Sequence, residues 1–219
     1  PYALPISFIA NKKIIGADVF KNSNTFEIYN SIAKEITGQD FGLIYSVNKV
    51  QNIEYIDSDK IAKMEITIPS SNKNYWLTQS DTNHLLYNGL TVNNKLIRKL
   101  GSIIIYTTEY IGNFNDNERL NIIAYGNIHY TIKPKPEFYY ASENTELLKK
   151  YFNLIKENPA ELKVISSSYL KGTFKINNDN EFLFMTIPYD KNWEIKVDGK
   201  KVEQLRVLYQ FTGISAEQG

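Results

Sequence analysis

Apolar and polar residues alternate along much of this chain, and the clearest case lies late in the sequence. Phe182 to Ile187 is an apolar run that predicts a buried strand, and Pro188 ends it because proline cannot donate to a ladder. Trp193, Ile195 and Val197 then alternate with Glu194, Lys196 and Asp198, the period of a half-buried strand. Asp198-Gly199 predicts a type I′ turn, since both central positions want positive φ. The stretch therefore reads as strand, corner, strand, tight turn, strand.

Similar punctuation runs through the rest. Pro1 to Asp18 reads as an extended lead-in with prolines at 1 and 5. Asn24 and Glu27 have capping-box spacing, Ile28, Ile32 and Ile36 fall on one helical face, and Gly38 suits the C′ position. Strands are predicted at Phe41 to Val47, Ile61 to Ile68, Tyr75 to Leu77, Gly101 to Thr108, Leu120 to Ala124 and Ile128 to Ile132, with Asn88-Gly89 as a turn. Lys133-Pro-Lys-Pro136 favours an extended segment and marks a module border. A broad-faced helix is predicted from Glu143 to Glu157, capped by Ser142 or Asn144 and stopped by Asn158-Pro159. Leu162 to Ile165 and Thr173 to Ile176 are predicted as strands.

The expected fold class is β-rich α+β, with two β-sandwich or jelly-roll-like modules, each with a packed helix. Residues 1–38 are the lead-in and N-terminal helix, 39–134 the first sandwich module, and 135–219 the second α+β sandwich module. Met64 to Pro69, Asn74 to Trp76 and Asn88-Gly89 echo Phe184 to Pro188, Asn192-Trp193 and Asp198-Gly199. Either the two modules are related repeats, or two unrelated segments share common turn chemistry.

Composition narrows the chemistry. A net charge of +1 offers no basic field for nucleic acid, and the absence of cysteine removes disulfides, thiolate metal sites and a cysteine nucleophile. No apolar run reaches the ~18–20 residues needed to cross a bilayer. His84 and His129 show no metal spacing, and no P-loop, G-x-S-x-G or dinucleotide fingerprint occurs. Asp190, Glu194 and Asp198 are interleaved with lysines, which favours a solvated, charge-compensated face over paired catalytic carboxylates. Asp190 suits an Asx-turn at its own corner. No catalytic residue, metal ligand or cofactor site is assigned. The candidate ligand-binding residues are Tyr189, Asp190, Trp193 and Trp76, because aromatic faces beside Asp and Asn suit a sugar. Burial in the core is the competing assignment for both tryptophans.

One further signal lies in the sequence itself. "IPYDKNWEIKVDGKKVE" at Ile187 to Glu203 resembles the "IPYDKGW-x-V-x-VDGK" signature of the YfhO family of bacterial membrane proteins. Tyr2 to Phe8, Phe20 to Asn24, Ile36-Thr-Gly38 and Phe211 to Ile214 are similar to other segments of that family. Asn192 stands where the family usually has Gly, and Asn tolerates the same left-handed corner. The resemblance implies an extracytoplasmic, C-terminal region of a polytopic, glycosyltransferase-like membrane protein, located at the outer face of the cell membrane. It implies that the parent uses a lipid-linked sugar donor and that its catalytic loop lies outside these residues. The implied partners are the parent's own transmembrane region and a cell-surface glycan of teichoic-acid type. An incomplete sheet edge near the C-terminus is expected for the same reason. A stand-alone carbohydrate-binding module and a structural or interaction module are the alternatives.

Overall fold

The computed structural model describes residues 4–21, 24–57, 61–80, 87–98, 108–126, 136–157 and 160–217. In chain order the elements are β1 (Ser7–Asn11), α1 (Thr25–Thr37), β2 (Tyr45–Lys49), β3 (Ile53–Ile56), β4 (Ile61–Thr67), β5 (Asn74–Gln79), β6 (Tyr87–Val92), β7 (Lys95–Arg98), β8 (Thr108–Asn113), β9 (Arg119–Gly126), β10 (Phe138–Glu143), α2 (Thr145–Glu157), β11 (Glu161–Ser166), β12 (Tyr169–Thr173), β13 (Glu181–Pro188), β14 (Ile195–Val197), β15 (Lys200–Val202), β16 (Gln204–Val207) and β17 (Phe211–Ile214). Every strand pairing among the described residues is antiparallel. The fold is β-rich α+β, as the alternating pattern predicts.

The chain closes into two compact units, each assembled from separated segments. One comprises residues 1–19, 31–42 and 146–219, and the other 20–30 and 43–145. Composition placed sequential borders at 38/39 and 134/135 instead. Long-range strand pairing, which local composition does not record, makes the units discontinuous.

In the second of these units two sheets face one another, ordered β2-β10-β5-β8 and β3-β4-β9-β6-β7. Strict alternation drives this sandwich: Ala62, Met64 and Ile66 of β4 and Leu120, Ile122 and Ala124 of β9 turn inward. They meet Tyr75, Leu77, Ile111 and Phe138 from the facing sheet in one core. The outer side of the four-stranded sheet is covered in part by Phe26 of α1, packed on Tyr139, Ala141, Tyr45 and Val47. The Asn24 side chain accepts the Glu27 N–H at 3.0 Å, so the predicted N-cap forms.

The other unit is built on a four-stranded sheet ordered β1-β13-β17-β16. Its central strand β13 is the predicted Phe182 to Ile187 strand, buried from Phe182 to Met185. Phe8 of β1 stacks on Phe184 with ring centroids 5.0 Å apart. Leu183, Met185 and Ile214 line the opposite face, where Leu162, Phe174, Ile195, Val197 and Val202 pack against them. Those residues come from two small hairpins, β11-β12 and β14-β15, and the segment after β12. The β14-β15 turn is the predicted Asp198-Gly199, with φ of 50° and 77°.

Several local readings need correction. The expected lead-in holds β1, fully paired from Ser7 to Asn11 with Met185 to Glu181. The Phe41 to Val47 strand begins only at Tyr45, because the Asp40 carboxylate accepts the Gly42 N–H at 2.9 Å and turns the chain. Asn88-Gly89 lies inside β6 at a register shift, and the hairpin turn falls on Asn93-Asn94, with φ of 48° and 64°. The Thr173 to Ile176 strand is displaced to Tyr169–Thr173, paired with β11 across a Ser167-Ser168 turn. The suspected repeat therefore loses its third matching part. The Gly101 to Thr108 strand (all but its last residue), the Ile128 to Ile132 strand, Lys133 to Lys135, His84, His129 and Asn158-Pro159 lie outside the described residues.

Candidate functional site

Ile187 and Pro188 deliver the chain to a corner that the sequence specifies. Asp190 Oδ1 accepts the Asn192 N–H at 2.9 Å, and its carbonyl accepts the Trp193 N–H at 3.1 Å, which is the predicted Asx-type turn. The corner is fastened further by Tyr189 N–H donating to the Gln210 carbonyl at 2.7 Å, and by the Gln204 amide donating to the Asp190 carbonyl at 2.8 Å. Asp190 itself is exposed. Tyr189 is half-buried, with the Arg206 guanidinium 5.7 Å from its ring centroid.

This corner projects Trp193 into the wall of a cleft with a volume of ≈ 580 Å³. The floor is apolar, made by Leu183, Met185 and Ile187 of β13 and Ile214 of β17. One wall is the β11-β12 hairpin with Leu162, Tyr169 and Lys171. The other is Trp193 to Val197. All of these residues belong to one unit. The volume falls within the ~300–1,000 Å³ of small-ligand sites, and an apolar floor beneath a polar rim is their common composition.

The rim charges are solvated. The Glu194 carboxylate is held below its usual range, chiefly by its hydrogen bond from Lys196 at 2.9 Å, with Lys201 at 3.7 Å adding to it. This is the charge-compensated face that the interleaved lysines predict, and exposed pairs of this kind add little stability. Of the four candidate residues, Trp193 lines the cleft, whereas Tyr189 and Asp190 build the corner behind it.

Trp76 lies in the other unit and has a packing role there. Its indole N–H donates to Glu143 Oε2 at 3.1 Å, and its ring meets Tyr110 edge-on at 5.3 Å. Glu143 is 6% exposed and also accepts from the Asn74 amide and the Thr145 hydroxyl, each at 3.1 Å. Sequence reasoning missed Glu143, reading it as the first residue of a helix. It also missed Tyr169 and Lys171, for which the Ser166-Ser-Ser168 turn cluster between two apolar pairs was the available signal.

Among the described residues, no three metal-ligating side chains converge, and no helix is long and apolar enough to cross a membrane. The family described as "Bacterial membrane protein YfhO" matches residues 1–219. A curated relative, "Uncharacterized protein YfhO" of Bacillus subtilis (strain 168), is 29% identical over 77 residues. That match covers 35% of this chain and 9% of the relative. No solved structure matches the chain.

Proposed function

The chain belongs to the YfhO family of bacterial membrane proteins, and from that premise we propose that residues 1–219 form a non-catalytic, extracytoplasmic domain of a polytopic glycosyltransferase-like protein. In this reading the parent transfers a sugar from a lipid-linked donor, and this domain holds the acceptor, a cell-surface glycopolymer of teichoic-acid type, or braces the membrane part. The observation that carries the proposal is the Trp193 cleft. An indole in one wall, an apolar floor and a rim of Lys171, Glu194 and Lys196 offer a pyranose a flat face to stack on and charged groups for its hydroxyls.

The test is titration of the chain with cell-wall glycopolymers and their oligosaccharides, read by calorimetry and by tryptophan emission. Saturable binding is expected. Trp193→Ala should weaken it at least about tenfold, the loss of roughly one aromatic contact. Trp76→Phe should leave it in place. Silence across wall polymers at millimolar concentration would remove the acceptor reading, and loss of binding in the Trp76 variant alone would move the site.

A further inference from the structure

The β11-β12 hairpin is covered far less than any sheet it neighbours. Among the described residues its strands pair only with each other, and Val164, Ile165 and Tyr169 remain 62%, 58% and 53% exposed. Lys163 lies directly opposite Lys171 in the register. Like charges facing across a strand pair are unfavourable. The β14-β15 hairpin shows how such a pair is relieved: Lys196 faces Lys201, and the Glu194 carboxylate reaches both, at 2.9 and 3.7 Å. Glu161 stands at the same two-residue offset from Lys163, yet among the described residues neither Lys163 nor Lys171 forms an ion pair with it.

We infer that this hairpin docks on the surface of an anionic lipid bilayer. Ile165, at the register shift, enters the acyl boundary, Tyr169 sits among the headgroups, and lipid phosphates pair with Lys163 and Lys171. The depth is limited. Among the described residues, both strands have an outer edge without a strand partner, which the hydrocarbon centre would leave unsatisfied. Ser166, Ser167 and Ser168 at the tip suit the headgroup layer. The lysines also oppose the other use of an open hairpin, edge pairing with a further strand. A bilayer is the natural neighbour for a member of a membrane-protein family. Lipid docking does not depend on what the cleft holds, although Tyr169 and Lys171 line both.

Because the chain has no cysteine, Ile165→Cys accepts a single environment-sensitive nitrobenzoxadiazole label. With phosphatidylcholine–phosphatidylglycerol vesicles, and no glycan present, its emission should brighten, shift to the blue and be quenched by acyl-brominated lipid. The same label at Asp179→Cys, in an exposed turn, should not respond. Adding Tyr169→Ser to the labelled chain should weaken partitioning about tenfold. Lys163→Glu with Lys171→Glu should abolish the preference for phosphatidylglycerol. Circular dichroism confirms that each variant is folded, which these exposed positions permit. Equal responses at 165 and 179, no acyl-chain quenching, or indifference to lipid charge would overturn the inference. So would shielding of residue 165 in the detergent-solubilised full-length protein without acyl-chain quenching in bilayers, which would assign the hairpin to a protein neighbour.

Discussion

Glu143 is a carboxylate taken almost wholly out of water and satisfied by the neutral donors of Trp76, Asn74 and Thr145. Such a group is tolerated only while its acceptors are occupied. Trp76→Phe keeps a ring and removes one donor, so it should lower unfolding stability by about 1–3 kcal/mol in urea titrations. Unchanged stability would mean that water replaces the indole without loss. Nearby, the Tyr45 hydroxyl is pushed up to about 12, mainly by burial, with the Glu143 charge second. The folded value lies above the unfolded one, so this contribution is complete below pH 10.0 and is lost as pH rises through about 12. Melting temperatures should therefore fall across that window, and Tyr45→Phe should flatten the fall. The Asp190 and Asn24 side-chain caps were legible from the sequence because each partner lies within three residues. Glu143 was not, since its Asn74 and Trp76 donors come from a distant strand. Leu208 and Tyr209 were equally illegible: both take positive φ, at 48° and 63°, where Asn or Gly would have announced the turn.

Period-two alternation identified β4 and β14, an apolar run closed by Pro188 identified β13, and spacing plus capping identified both helices. The misses among elements share one cause. β1 is only five residues long and follows two prolines, and its partner β13 lies near the far end of the chain. Asn88-Gly89 and Asn93-Asn94 are both plausible tight turns, and register in the sheet decided between them. β1 is not a loose appendage, however. Phe8 is fully buried against Phe184, so Phe8→Ala should cost about 3–5 kcal/mol. Chemical denaturation measures this, and a loss below 1 kcal/mol would show that β1 is dispensable to its sheet.

For the whole chain, the interleaving of the two units decides which pieces can stand alone. Residues 135–219 look like a module by composition, yet 146–219 share their unit with 1–19 and 31–42, while 135–145, which hold β10, belong to the other unit. That piece expressed alone lacks the β1 partner of β13 and should be unfolded or aggregated by circular dichroism and light scattering, whereas the 219-residue chain melts cooperatively. A folded 135–219 piece would refute the discontinuous unit. Fold class and family were legible because alternation, Pro-ended strands and the motif around Trp193 are local. The partition into units was not, because it is written in pairings between distant strands.

The union of β1 with β13 also fixes a timetable. A ribosome makes Ser7–Asn11 long before Glu181–Pro188, so the earliest strand of that sheet emerges with no partner and its apolar side chains uncovered. Assembly of that unit therefore waits until β13 has been made rather than following from local collapse, and the early strand stays open to wrong partners for that interval.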